Sequence, residues 1–236
     1  MPEHYIPLRG RVQAVTIVFV LMALLCAAAV WSGWLEAQLM DRLIAGEEVT
    51  DADATANDDR QALVGLIQFA VWIASAVVFI RWMHGAYRNV TIVAPTERRY
   101  GVGWAIGSWF VPIMNLFRPK QITNDIWRAG GRDEQDAQPG WLLIGWWTFY
   151  LLGNFVVNIA ARSYTDAESA DELRTGTILF MVSDVLSVVG ALLAIVVVRR
   201  ATDRLDEKAA ATPPPAPPEP PEGDLVAPER PAGATA

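Results

Sequence analysis

WAIGSWFVPIMNLF, Trp104 through Phe117, is the stretch that decides how this chain is threaded. Its fourteen residues reach roughly 21 Å as a helix, short of the ~30 Å hydrocarbon core of a bilayer. Pro112 interrupts it and Pro119 follows it. On either side lie four longer apolar segments, 12–35, 63–80, 140–161 and 177–198. Each is near the roughly 20 apolar residues that a crossing requires, and each is apolar around most of its circumference. Backbone groups without water must pair within their own segment, so these four are predicted as helices. The fold class expected is an all-α membrane protein with four transmembrane helices. To these the Pro-broken 104–117 segment adds a re-entrant or interfacial element.

Lys and Arg favour the cytoplasmic side of a membrane, so their placement tests whether 104–117 crosses. If it does not, the chain ends and the central connection share one side, and Lys and Arg divide 15 inside to 4 outside. If it does, the division is 8 to 11. The first threading is the expectation, with residues 1–11 and the C-terminal tail both cytoplasmic. The outside connections 36–60 and 162–176 then carry 8 and 4 acidic residues, and the first has room for a short amphipathic helix. Trp31, Trp34, Trp82 and Trp141 fall at span ends, where aromatic belts are expected.

Composition agrees with this placement. Charged residues are 19% of the chain, where a soluble domain carries about 25%. The stretch 209–236 holds 9 of the 15 prolines, so the apolar excess is concentrated in the membrane domain, 12–205. The tail 206–236 is predicted to be disordered, since proline-rich chain favours extended, solvated backbone. A single Cys excludes a disulfide framework and a Cys-rich metal site. A net charge of −7 gives no general attraction to nucleic acid. Neither His4 nor His84 has a metal-binding neighbour pattern, and no cofactor motif is found.

Two groups of residues stand out as sites. Asp184 is the one ionisable residue well inside a span, and Asn154 lies at matching depth in the antiparallel neighbour, with Asn158 one turn away. A buried acid marks a polar path or a helix–helix hydrogen bond. Ser187, Ala191 and Ala194 continue the Asp184 face as a small-residue stripe, which favours packing. The second group is basic: Arg88, Arg98, Arg99, Arg118, Lys120 and Arg128 surround the broken segment. They read as a pocket for anionic headgroups, or more plainly as the positive-inside signal. Pro119 can open a helix, and Ile122, Ile126 and Trp127 would give it an apolar face lying in the membrane interface.

The run Trp82…Arg88-Asn89, then Gly103 to Pro119 with its W-F-V-P-I-x-N-L core, then Asp125-Ile126-Trp127-Arg128, resembles a bacterial membrane-protein family catalogued as the domain of unknown function 4328. The resemblance extends over 63–205. It implies a multi-span bacterial membrane protein with no assigned reaction. It marks Trp82, Asn89, Trp109, Pro112, Asn115, Pro119 and Trp127 as motif positions without roles.

The function expected is a non-enzymatic scaffold, sensor or regulatory component of the cell membrane. Its partners would be the bilayer, anionic lipids, and a membrane protein or a second copy of itself. One alternative is an oligomeric permease for a small solute or ion, using Asp184 and Asn154. Another is a membrane-embedded enzyme acting on lipid, for which no nucleophile and base stand at useful spacing.

Overall fold

A computed structural model describes residues 4–211. Seven α-helices follow one another: α1 Arg9–Ile44, α2 Asp51–Val93, α3 Trp104–Gly107, α4 Pro112–Asn115, α5 Arg118–Ala129, α6 Trp141–Thr165 and α7 Ala170–Ala211. A single 3-10 turn, Pro95–Glu97, follows α2, and no strand occurs among the described residues. α1, α2, α6 and α7 are long and apolar enough to cross a membrane.

Three of the long helices extend far beyond the apolar runs that identify them. The 43 residues of α2 reach ~64 Å and the 36 of α1 ~54 Å. The expected long loop 36–60 is therefore a correction: most of it continues α1 and begins α2. Its polar residues keep helical backbone, and only 45–50 connects, with Gly46 at φ +75° making the turn. Thr50 then caps α2, exchanging side-chain and backbone hydrogen bonds with Asp53. The tail also begins later than expected. Residues 206–211 belong to α7, and the rest of the proposed disordered tail lies outside the described residues.

α7 packs between α1 and α6, and α1 also packs on α2, giving the row α2–α1–α7–α6. The two ends of the row meet through Phe79 of α2 and Trp146 of α6, 5.5 Å between ring centroids. Trp109, from the broken segment, closes this seam against Phe79, Trp147 and Tyr150 at 5.8, 6.4 and 5.9 Å. Tyr150 is nine residues along α6, about 13 Å from its start, so the segment dips between helices. Gly103 precedes α3, and α5, which packs on α2 and α7, follows α4, so the chain returns to the end it left. The chain ends meet there as well: the Tyr5 hydroxyl donates to Asp206, and Asn89 clasps the backbone of Ile6 through both its amide groups. We call this the terminal end and the opposite one the hairpin end.

The densest packing is in the terminal half. Trp82, Met83, Ala86, Tyr87 and Val90 form one face of α2, fully buried with Leu143, Val197, Val198 and Leu205. This corrects the reading of Trp82 as a belt residue. Its ring is core, and its indole N–H donates to Thr202 at 2.9 Å. Trp141 is exposed at the start of α6. α5 is also corrected. Ile122, Ile126 and Trp127 are buried by neighbouring helices, so its apolar face is covered by protein and not by the membrane interface.

Candidate functional site

Three polar clusters sit at different heights in the bundle. The terminal one is built on α5, which Pro119 opens at its first turn. Asp125 is fully buried beneath this helix. Its carboxylate accepts from Arg99 at 2.7 and 2.8 Å and from the Tyr87 hydroxyl at 3.2 Å, with Arg128 at 3.5 Å. The Tyr87 hydroxyl oxygen accepts from the Tyr100 amide, which pins the 98–100 connection over α5. Burial pushes the Asp125 carboxyl above its ordinary value, with Arg99 drawing it back. Burial first, and Arg128 second, hold the Lys120 ammonium below its own. Arg118 lies between two aromatic rings, 4.6 Å from the Tyr100 centroid and 4.5 Å from that of Trp104.

The six basic residues anticipated as one pocket therefore divide. Arg99 and Arg128 are drawn together by Asp125, Lys120 stands near Arg128, and Arg118 is held at the start of the same helix. Arg88 and Arg98 are exposed and make no ion pair with Asp125, although the Arg98 charge reaches Tyr87. Asp125 was missed as a site residue. Its signal was an acid three positions before Arg128 in an otherwise basic region.

Asp184 has a different set of partners from those its depth suggested. Gln68 of α2 donates to its carboxylate at 2.9 Å and also approaches the Cys26 sulfur of α1 at 3.8 Å. Asn154 instead donates to the Tyr150 carbonyl and Asn158 to the Asn154 carbonyl, both within α6. Among the described residues no hydrogen bond joins Asp184 to Asn154 or Asn158, so the grouping of the three is corrected. On α7, the Ser187 hydroxyl and the Ser183 carbonyl lie against Gly153 of α6. Asp184, about 100° further round the helix, is turned toward α1 and α2.

The hairpin end holds the third cluster, which was also missed. Glu36 is only 4% exposed and accepts from three other helices. Gln61 and Asn57 donate at 2.8 and 3.4 Å, Tyr164 at 2.8 Å and Thr177 at 3.1 Å. Arg60 braces the group from the side through Asn57 and Ser32. Read as the first residue of a loop, Glu36 offered no sign that a helix would carry it inward.

The motif positions are structural joints. Trp109 fills the seam, Pro112 opens α4 and Asn115 ends it, and Trp147 donates to the Leu116 carbonyl beside them. Trp127 lies under the Arg204 guanidinium at 4.5 Å, and Arg204 in turn holds Asp136 at 2.7 Å. Among the described residues no group of His, Cys, Asp and Glu side chains is arranged to hold a metal ion.

No curated protein and no solved structure matches the chain. A family model does, that of the domain of unknown function DUF4328, over residues 45–203. The match starts earlier than the resemblance over 63–205 and runs from the first hairpin connection into the last turns of α7. It takes in all seven motif positions and leaves α1 outside. With its four spanning-length helices the chain is a multi-pass membrane protein, and it belongs to the DUF4328 family.

Proposed function

We propose that this protein is a non-enzymatic scaffold or regulatory component whose α5 face engages anionic headgroups at the cytoplasmic side of the cell membrane. The observation that carries this reading is the fixed positive charge on α5. Arg118 is clamped between two rings, Lys120 and Arg128 follow on the same helix, and the only acid of α5, Asp125, is buried beneath them. Because the apolar face of α5 is covered by protein, the helix that carries these cations is held in place, and Arg118, held by its two rings, loses little freedom on meeting a ligand. Each Lys or Arg near an anionic leaflet contributes about 1 kcal/mol of attraction. The 15-to-4 division of Lys and Arg supports a cytoplasmic terminal end.

The test is the lipid that stays with the protein through purification. Arg118→Ala combined with Lys120→Ala is expected to lower retention of phosphatidylglycerol several-fold while leaving the melting midpoint close to wild type. Equal retention would remove the reading. The sidedness is tested by replacing Cys26 with Ala and placing one cysteine between α5 and α6. Labelling of that cysteine from outside intact cells would overturn the orientation.

A further inference from the structure

A second polar feature of the terminal end lies away from α5. It is an open groove of ≈ 730 Å³ between α1 and α7, lined by Arg9, Gln13, Arg199, Asp203 and Asp206 among others. Its charges do not cancel one another. Among the described residues neither Arg9, Arg199 nor Asp203 has an ion-pair partner, and Asp206 accepts only from Tyr5. The groove therefore offers two guanidinium groups and two carboxylates together.

These charges are layered by height. Arg199 donates to Thr16 at 3.3 Å, which sets the two antiparallel helices level at that point. Asp203 then lies about 6 Å and Asp206 about 10 Å further toward the terminal end at helical rise, with Arg9 of α1 level with Asp206. Below Arg199 the same faces turn apolar. On α1 the row Arg9, Gln13, Ile17, Leu21, Leu24 repeats every three or four residues, and its three apolar members are exposed. On α7, Leu192 and Val185 follow Arg199 at seven-residue steps, two turns each, and are exposed too. Charge above and an apolar track below, continuous on both helices, is the form of a site for an amphiphile.

We propose that this groove binds a glycerophospholipid with a phosphoethanolamine headgroup, its phosphate on Arg199, its ammonium above on Asp203 and Asp206, and an acyl chain along Ile17, Leu21 and Leu192. A purely anionic headgroup fits less well, because above Arg199 it would meet two carboxylates and a single cation, Arg9. The site is independent of the α5 platform, on other helices and with the opposite preference among headgroups.

The full-length protein in detergent, given equal amounts of phosphatidylethanolamine and phosphatidylglycerol, is read by native mass spectrometry. Wild type with Arg118→Ala and Lys120→Ala, which silences α5, is expected to retain the ethanolamine lipid at least fivefold over the glycerol lipid. Arg199→Gln and Asp203→Asn on that background should each bring the ratio near one. Equal retention of the two lipids before these changes would overturn the proposal, as would an unchanged ratio after both. Should either variant melt early, the ratio on the parent protein decides by itself. Failure here leaves the α5 reading standing, since that rests on glycerol-lipid retention by Arg118 and Lys120.

Discussion

The terminal and hairpin halves of the bundle are held together by different forces. In the terminal half, α2, α5, α6 and α7 bury large side chains against one another, Trp82 and Tyr87 without exposure. In the hairpin half, α2 leaves Leu63, Leu66, Phe69 and Trp72 uncovered. The contacts there are close approaches at small residues, Gly33 to Met181 and Gly176 to the Tyr164 backbone, together with hydrogen bonds converging on Glu36. Apolar helices surrounded by lipid gain little from burying apolar surface on each other, so close packing and polar contacts hold them.

The largest expected effect is in the terminal half. Trp82→Ala removes a buried ring and leaves Thr202 without its donor, at a cost of about 3–5 kcal/mol. Thermal unfolding in detergent measures it, and a loss under ~1 kcal/mol would erase the contrast between the halves. Glu36→Ala removes the acceptor on which four donors converge, leaving the Tyr164 hydroxyl without one, and is expected to cost about 1–3 kcal/mol. Glu36→Gln should recover part of that, and a melt unchanged by Glu36→Ala would show that polar contacts do not hold the hairpin half.

A smaller effect comes from pH. Arg204 holds the Asp136 carboxyl below its ordinary value, so this pair contributes above pH ~4 and is lost as pH falls below that. The pair is partly exposed, so the change is local. A spin label at position 138, in a Cys26→Ala background, should gain mobility only in that acid range; mobility rising already near neutral pH would remove Asp136 as the anchor. The smallest effect belongs to Asn154→Leu. Its amide bonds only its own helix, so stability should change by less than ~0.5 kcal/mol. A loss several times larger would restore a link to Asp184.

The spans were legible because hydropathy is a property of consecutive residues. The return of 104–117 was legible because charge placement constrains which connections share a side. The α5 platform was half legible. Its basic residues and Pro119 stand in the chain, whereas their sorting by Asp125 does not. Asp184 was found and its partners were not. Depth follows from counting residues, but the face that Asp184 presents depends on how α7 is rotated against α1, α2 and α6. Its hydrogen bond joins residues 116 positions apart. Trp82 was misplaced for a similar reason. A tryptophan at a span end suits a belt or a core equally well until the helix beside it is known.

By itself, then, the amino-acid sequence determined the helical class, the four crossings, the dip and the family. Each of these rests on short-range periodicity, on composition or on a contiguous motif. Tertiary structure alone decided that Glu36 and Asp125 are buried, that Gln68 meets Asp184, and that Arg9 and Arg199 share a groove with Asp203 and Asp206. Those contacts join distant parts of the chain through helix rotation and relative height, and packing of the whole bundle sets both.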